Sequence, residues 1–232
     1  MLFRSGLGVQ LKAGDVAARA NFCSLDPKGI ITDRRAGRIA TDVCEELCGI
    51  LSQGIKKAGP KGSEVDVLIQ PGKEHRFVVV FRGEGLAGPL TSTDPNREGL
   101  PIGTAKPENE KSAAQVKTAK IVADFYKRAL PLISKHPRAN GFLLRGIAHQ
   151  PRIPLFQERY QLKAACLAVY PMYKGLAQLV GMTKIEGPKT IAEQFERYLA
   201  EYDNHDFFFI HYKYTDKAGE DGNFEADRKS VV

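Results

Sequence analysis

The stretch Asp15-Val-Ala-Ala-Arg-Ala-Asn-Phe-Cys-Ser-Leu25, followed by Asp26-Pro-Lys-Gly29 and Ile30-Ile-Thr-Asp33-Arg-Arg-Ala-Gly-Arg38, decides how the first half of the chain is read. Val16, Ala18, Ala20 and Phe22 alternate with Arg19 and Asn21, the pattern of a half-buried strand. Pro early and Gly last make Asp26–Gly29 a tight turn, and the chain returns over Gly29–Asp33 as the second strand of a hairpin. Counting back across the turn places Arg34 and Arg35 near Ala20 and Asn21, so that Arg19, Arg34, Arg35 and Arg38 converge on one patch. Two readings of that patch stand. Guanidinium forks match phosphate and carboxylate oxygens, which suits an anion clamp; an exposed arginine run paired with Asp33 and Asp42 has the same composition.

Working outward, Thr41 to Lys57 reads as a helix with a Thr cap and with Val43, Leu47, Ile50, Leu51 and Ile55 on one stripe. Glu64–Ile69 and Arg76–Phe81 flank a turn and form a second hairpin, so this half is antiparallel and of the α+β kind. Arg82 closes that hairpin, and an arginine at the end of a buried strand is expensive unless paired or used. Residues 82–107 are rich in Gly, Pro, Thr, Asp and Asn, and a loop of that length is functional or disordered. A helix follows over about 108–129, its stripe formed by Val122, Phe125, Ala129 and Leu132. From Asn140 the character changes: strands at Gly141–Ala148, Leu162–Val169 and Asp206–Tyr212 and helices at Met172–Val180 and Ile191–Tyr202 suggest parallel units of an α/β sheet.

Composition bounds the function classes. At 232 residues, 43% hydrophobic and 26% charged, the chain is neither disordered, fibrous nor membrane-embedded. No apolar run is long enough to span a bilayer, which makes the cytoplasm the default location. Cys23, Cys44, Cys48 and Cys166 are too few for a disulfide framework and lack zinc-ligand company, so they read as small buried hydrophobes. The net charge of +7 attracts anions, but the basic residues are scattered rather than striped with aromatics, which favours a small phosphorylated ligand over nucleic acid. Asp216, Glu220 and Asp221 lie on a Gly-punctuated loop just beyond the last strand. That position suits a hard divalent cation, and a solvated acidic turn reads the same way.

Several segments together resemble the archaeal-type, 2,3-bisphosphoglycerate-independent phosphoglycerate mutases of the alkaline phosphatase superfamily. They are Gly14–Phe22, Asp33–Ile39, Glu74-His-Arg76, Thr91–Pro95, Leu162–Cys166, Tyr170–Gly175, Gly181-Met182 and Asp216–Gly222. The resemblance implies an α/β fold comprising part of an alkaline-phosphatase-like core with an inserted α+β cap. By position, residues 1–12 end a core segment, 13–138 form the substrate-binding cap and 139–232 a partial core. It implies interconversion of 2- and 3-phosphoglycerate in glycolysis through a phosphoserine intermediate, with two divalent metal ions, manganese or magnesium. Asp216 and Glu220 then look like metal ligands, Lys174 like the lysine that reaches the phosphoryl group, and Arg19, Arg34, Arg35, Arg38 and Arg82 like contacts to a small phosphorylated acid.

The departures from the family carry expectations of their own. Its first Asp-Gly metal motif and its nucleophilic serine precede the point where this chain begins, and its later Asp-His pair follows Val232; Ser92 and Ser112 match neither position. The sequence therefore reads as a central segment, with little or no mutase activity as an isolated chain and open sheet edges prone to self-association. A non-catalytic module binding phosphorylated metabolites is the alternative reading, to which nucleic-acid and membrane partners are foreign.

Overall fold

A computed structural model of the chain describes residues 11–150 and 153–212, together with 219, 222–225 and 228. The chain is mixed α/β and divides into two compact units, the described residues 11–150 forming the first and those from 153 onward the second.

The first unit is built on a sheet of strands β1 (Val16–Leu25), β2 (Ile31–Asp33), β3 (Lys57–Ala58), β4 (Val65–Pro71), β5 (Arg76–Arg82) and β6 (Gly141–Ala148), in the order β2-β1-β5-β4-β3 with β6 also paired to β1. The alternation in β1 sends Val16, Ala18, Ala20 and Phe22 into the main core and turns Arg19 and Asn21 to the opposite face. The core face is covered by α1 (Thr41–Gly54), which buries Cys44, Leu47, Cys48 and Leu51, and by α2 (Ala113–Ile133), which buries Ile121, Val122, Phe125, Ala129 and Ile133. Aromatic rings tie the layers together. Phe22 stacks on Phe77 at 4.4 Å between centroids, and Phe125 meets Phe81 at 5.6 Å and Phe142 at 5.5 Å in the tilted geometries that ring quadrupoles favour.

Three local expectations are corrected. Thr41 does not cap α1: the cap position is Ala40, and the Thr41 hydroxyl instead accepts from the Glu74 amide at 3.1 Å. Helix α2 begins at Ala113 rather than near 108, because the Ser112 side chain accepts from the Gln115 amide and so closes the first turn there. The strand Gly141–Ala148 is not part of a parallel core. It runs antiparallel to β1, with Ala20 opposite Leu144 and Phe22 opposite Phe142. Phe142 and Leu144 join the main core while Leu143 packs with Cys23 and Ile31 on the other face, so a central antiparallel strand acquires the continuous apolar run that imitates a parallel one.

The second unit does carry the parallel arrangement. Strands β7 (Ala164–Ala168), β8 (Thr183–Lys184) and β9 (Phe207–His211) form a parallel sheet in the order β8-β7-β9; helix α3 (Phe156–Tyr160) precedes β7, and α4 (Pro171–Leu179) and α5 (Ile191–Glu201) lie in the two connections. Helix α5 opens with a capping box in which the Thr190 hydroxyl accepts from the Glu193 amide. It also buries Gln194, whose amide nitrogen donates to the Leu167 and His211 carbonyls at 3.0 Å each, clamping the ends of β7 and β9. Among the described residues no helix is long and apolar enough to cross a membrane.

Candidate functional site

Residues 82–107 are an ordered strap. Leu86, Leu90 and Ala105 enter the main core, and Leu90 bridges both Pro107 and Ile147. Thr93 anchors the strap: its amide donates to the Leu144 carbonyl at 2.9 Å, its hydroxyl accepts from the Leu144 amide at 2.8 Å, and the same hydroxyl lies 2.6 Å from the Tyr126 hydroxyl. The next residue, Asp94, is thereby held against the sheet with its side chain 1% exposed.

Two arginines meet that carboxylate. Arg34 donates bidentately, Nε to Oδ1 at 2.9 Å and Nη2 to Oδ2 at 2.8 Å, and Arg145 Nε lies 3.5 Å from Oδ2. Both guanidiniums also donate to the Asn96 side-chain oxygen, and the Asn96 amide closes back on Asp94 at 2.9 Å. Burial would raise the Asp94 carboxyl; the Arg34 hydrogen bonds, the Asn96 amide and the Arg145 charge outweigh it and hold the group below its ordinary value. Arg19 is the register partner of Arg145 across β1 and β6 and of Val78 across β1 and β5.

A second group surrounds His75. The ring is 2% exposed, and burial, followed by the neighbouring Arg76 cation with smaller contributions from Arg35 and Arg19, lowers its pKa from 6.5 to about 4 against the opposing charge of Glu74. Arg76 itself donates to Glu74 at 2.6 Å. Among the described residues, His75 Nδ1 and Asn21 Oδ1 are buried without a hydrogen-bond partner.

The structure redistributes the arginines expected to form one patch. Register pairs Ser24 with Asp33 and Leu25 with Ile31, so Arg34 and Arg35 do not lie opposite Ala20 and Asn21. The chain leaves the sheet because the Asp33 carboxylate accepts from the Arg35 and Gly37 amides, and Ala36, Gly37 and Arg38 then all take left-handed conformations. Arg34 turns to Asp94, Arg35 to the His75 group, and Arg38 is exposed. Arg82 belongs to neither group. It donates to Asp15 at 2.7 to 3.2 Å, and its strand position is four residues, roughly 13 Å, from Val78, the residue opposite Arg19. In the second unit Lys174 Nζ lies 2.8 Å from Glu186, which also accepts from Lys184 at 2.7 Å. Asp216 and Glu220 lie outside the described residues, and among the described residues no group of three or more His, Cys, Asp or Glu could hold a metal ion.

Sequence reasoning missed Asp94, Asn96, Arg145 and His75 as members of these groups. One signal was present: Arg145 sits in the apolar run Phe142-Leu-Leu-Arg-Gly, where a buried-strand arginine needs a partner for the reason applied to Arg82.

Comparison with known proteins shows the family. Residues 4–139, more than half of the chain, match the family model of the 2,3-bisphosphoglycerate-independent phosphoglycerate mutases. The chain belongs to that family. It is 42% identical over 226 residues to a probable 2,3-bisphosphoglycerate-independent phosphoglycerate mutase of Thermotoga maritima and 43% identical over 229 residues to one of Thermus thermophilus, covering 97% of this chain in both cases and 54% and 55% of the relatives. The chain thus spans about half the length of these mutases. A cofactor-independent phosphoglycerate mutase from Thermoplasma acidophilum has a similar structure, with a TM-score of 0.63 and 28% identity over 98% of this chain and 62% of its own. A Pyrococcus horikoshii protein shares the fold at a TM-score of 0.68 and 21% identity, covering 99% of this chain and 54% of that one. The mutases are isomerases, so the family to which this chain belongs is enzymatic.

Proposed function

We propose that this chain supplies the substrate-binding arginines for interconversion of 2- and 3-phosphoglycerate, with the first unit as the cap. The cap then extends through β6 to about residue 150 instead of ending at 138, because β6 is a full member of its sheet. The observation that carries the reading is the gathering of cations around Asp94: Arg34 and Arg145 share this buried carboxylate, with Arg19 in register beside them and Glu98, which accepts from the Arg34 amide at 3.3 Å, as the other acidic charge. An anion completes such a group, since forked guanidiniums bind carboxylate and phosphate oxygens in plane. The buried, unpartnered Asn21 Oδ1 on the same sheet face as Arg19 suits a donor such as the hydroxyl of a hydroxy acid.

Lys174, held by Glu186, is the proposed phosphoryl contact of the second unit. Arg82 in its pairing with Asp15 and the exposed Arg38 have less direct claims on the substrate than Arg19, Arg34 and Arg35. The proposed metal ligands, Asp216 and Glu220, would hold manganese or magnesium, which polarises phosphoryl oxygens when bound. The substrate is a small phosphorylated acid of the cytoplasm, with no nucleic acid or membrane in the role.

The test is calorimetric titration of the 232-residue chain with 3-phosphoglycerate. Saturable binding is expected, weakened about ten- to a hundredfold in Arg145→Ala through loss of a charged hydrogen-bonding group. Binding that is unaffected by Arg145→Ala and by Arg34→Ala would overturn the reading.

A further inference from the structure

Resting on the substrate-binding reading above, we propose that Asp94 is a positioning residue: its buried carboxylate, delivered by the strap, sets the guanidinium planes of Arg34 and Arg145 so that they receive one anion together. The two arginines come from different elements. Arg34 follows β2 after the chain has left the sheet, and Arg145 is on β6, where a bulge interrupts the pairing with β1 between Ala17 and Arg19. What they share is Asp94 and Asn96, carried by a segment 60 residues from Arg34 and 49 from Arg145 in sequence, counted to Asp94 and Asn96 respectively.

The strap is built to hold that residue still. Thr93 replaces a ladder partner for Leu144 and reaches Tyr126 of α2, so the backbone before Asp94 is fixed to both the sheet and a helix. On the other side Asn96 stands at φ +64, a left-handed conformation that Asn tolerates, and this turns its amide back onto Asp94 Oδ1 at 2.9 Å. A carboxylate with two guanidiniums and a backbone amide on its two oxygens has its acceptor capacity engaged, and it stays ionised. Its role is therefore orientation; the ligand itself meets the outer edges of the arginines. A free arginine side chain loses rotamer entropy on being fixed, and the carboxylate imposes that order before the ligand arrives.

Charge and orientation pull in opposite directions here, and that makes the proposal testable. Asp94→Asn keeps the shape and removes one negative charge, so the net positive charge of the group rises by one while the arginines' shared acceptor is weakened. For the full chain, 3-phosphoglycerate affinity is expected to fall tenfold or more in Asp94→Asn, while affinity for inorganic phosphate, which needs little orientation, holds or rises. In parallel, the separate Nε–Hε resonances of Arg34 and Arg145 should collapse toward the free-arginine position. Tighter binding of both anions would mean that the carboxylate only subtracts charge, and unchanged 3-phosphoglycerate affinity would mean that it is structural; either overturns the proposal. Should Asp94→Asn fail to fold, Asn96→Gly, which suits the left-handed backbone and removes the second shared acceptor, should still weaken 3-phosphoglycerate severalfold, and no change there overturns it equally. A wild-type chain that does not bind 3-phosphoglycerate at all would instead bring down the substrate-binding reading, an outcome visible before any variant is compared.

Discussion

His75 shows how far a single side chain can be read. The sequence places it between Glu74 and Arg76 but says nothing of burial; in the fold it is 2% exposed and crowded by arginines, with a pKa lowered from 6.5 to about 4. The unfolded chain takes up a proton at His75 near pH 6.5 and the folded one only near pH 4. The stability contributed is therefore complete above about pH 6.5 and is lost as pH falls toward 4, by up to about 3 kcal/mol. Urea midpoints should drop between pH 7 and pH 4.5 in the native chain, and His75→Gln should flatten that decline; an unchanged slope would show that His75 is not the titrating group. Asp94 adds to acid sensitivity in a lower window: its depressed carboxyl contributes stability above its ordinary value near 4, lost as pH falls through the folded value. The cysteines, by contrast, were legible from type alone. All four are buried; burial pushes the Cys23 thiol up to about 12 and the Cys166 thiol up to about 11, which leaves those two poor nucleophiles, whereas the Cys48 hydrogen bond holds the Cys44 thiol below its ordinary value.

Among the elements, the strands and helices were the most readable features and the strap the least. Period-2 alternation in β1 and the stripe of α2 are local properties, repeated every few residues, so composition reveals them. Residues 82–107 have no period. Their order comes from Thr93, whose partners Leu144 and Tyr126 are 51 and 33 residues away. Replacing Thr93 by Val keeps the volume but leaves the Leu144 amide and the Tyr126 hydroxyl without that partner, which should cost about 1–3 kcal/mol in urea unfolding. A neutral result would place the anchor elsewhere in the strap. The same distinction explains β6: its apolar run marks a buried strand, but a run buried on both faces carries no record of strand direction.

Across the whole molecule, the two units have separate cores. Every buried residue of the main cluster lies between Val16 and Ile147, whereas the second unit's cluster joins Cys166, Ala168 and Ala177 to Tyr173, Met182 and Phe209. Residues 11–150 expressed alone should accordingly unfold in one cooperative transition. A non-cooperative melt would show that the first unit depends on the rest of the chain.

The sequence by itself determined the mixed α/β class, the antiparallel and parallel segments in outline, and, through motifs strung along nearly its whole length, membership of the phosphoglycerate mutases. Those are properties of order and period, written along the chain. Only the tertiary structure decided which arginines lie together. Arg34 meets Arg145 and parts from Arg38 and Arg82 because Asp33 turns the backbone out of the hairpin, Asp15 takes Arg82, and the strap carries Asp94 to the sheet. A buried carboxylate must find its cations wherever the fold brings them, and the residues that answer it need not be neighbours in sequence.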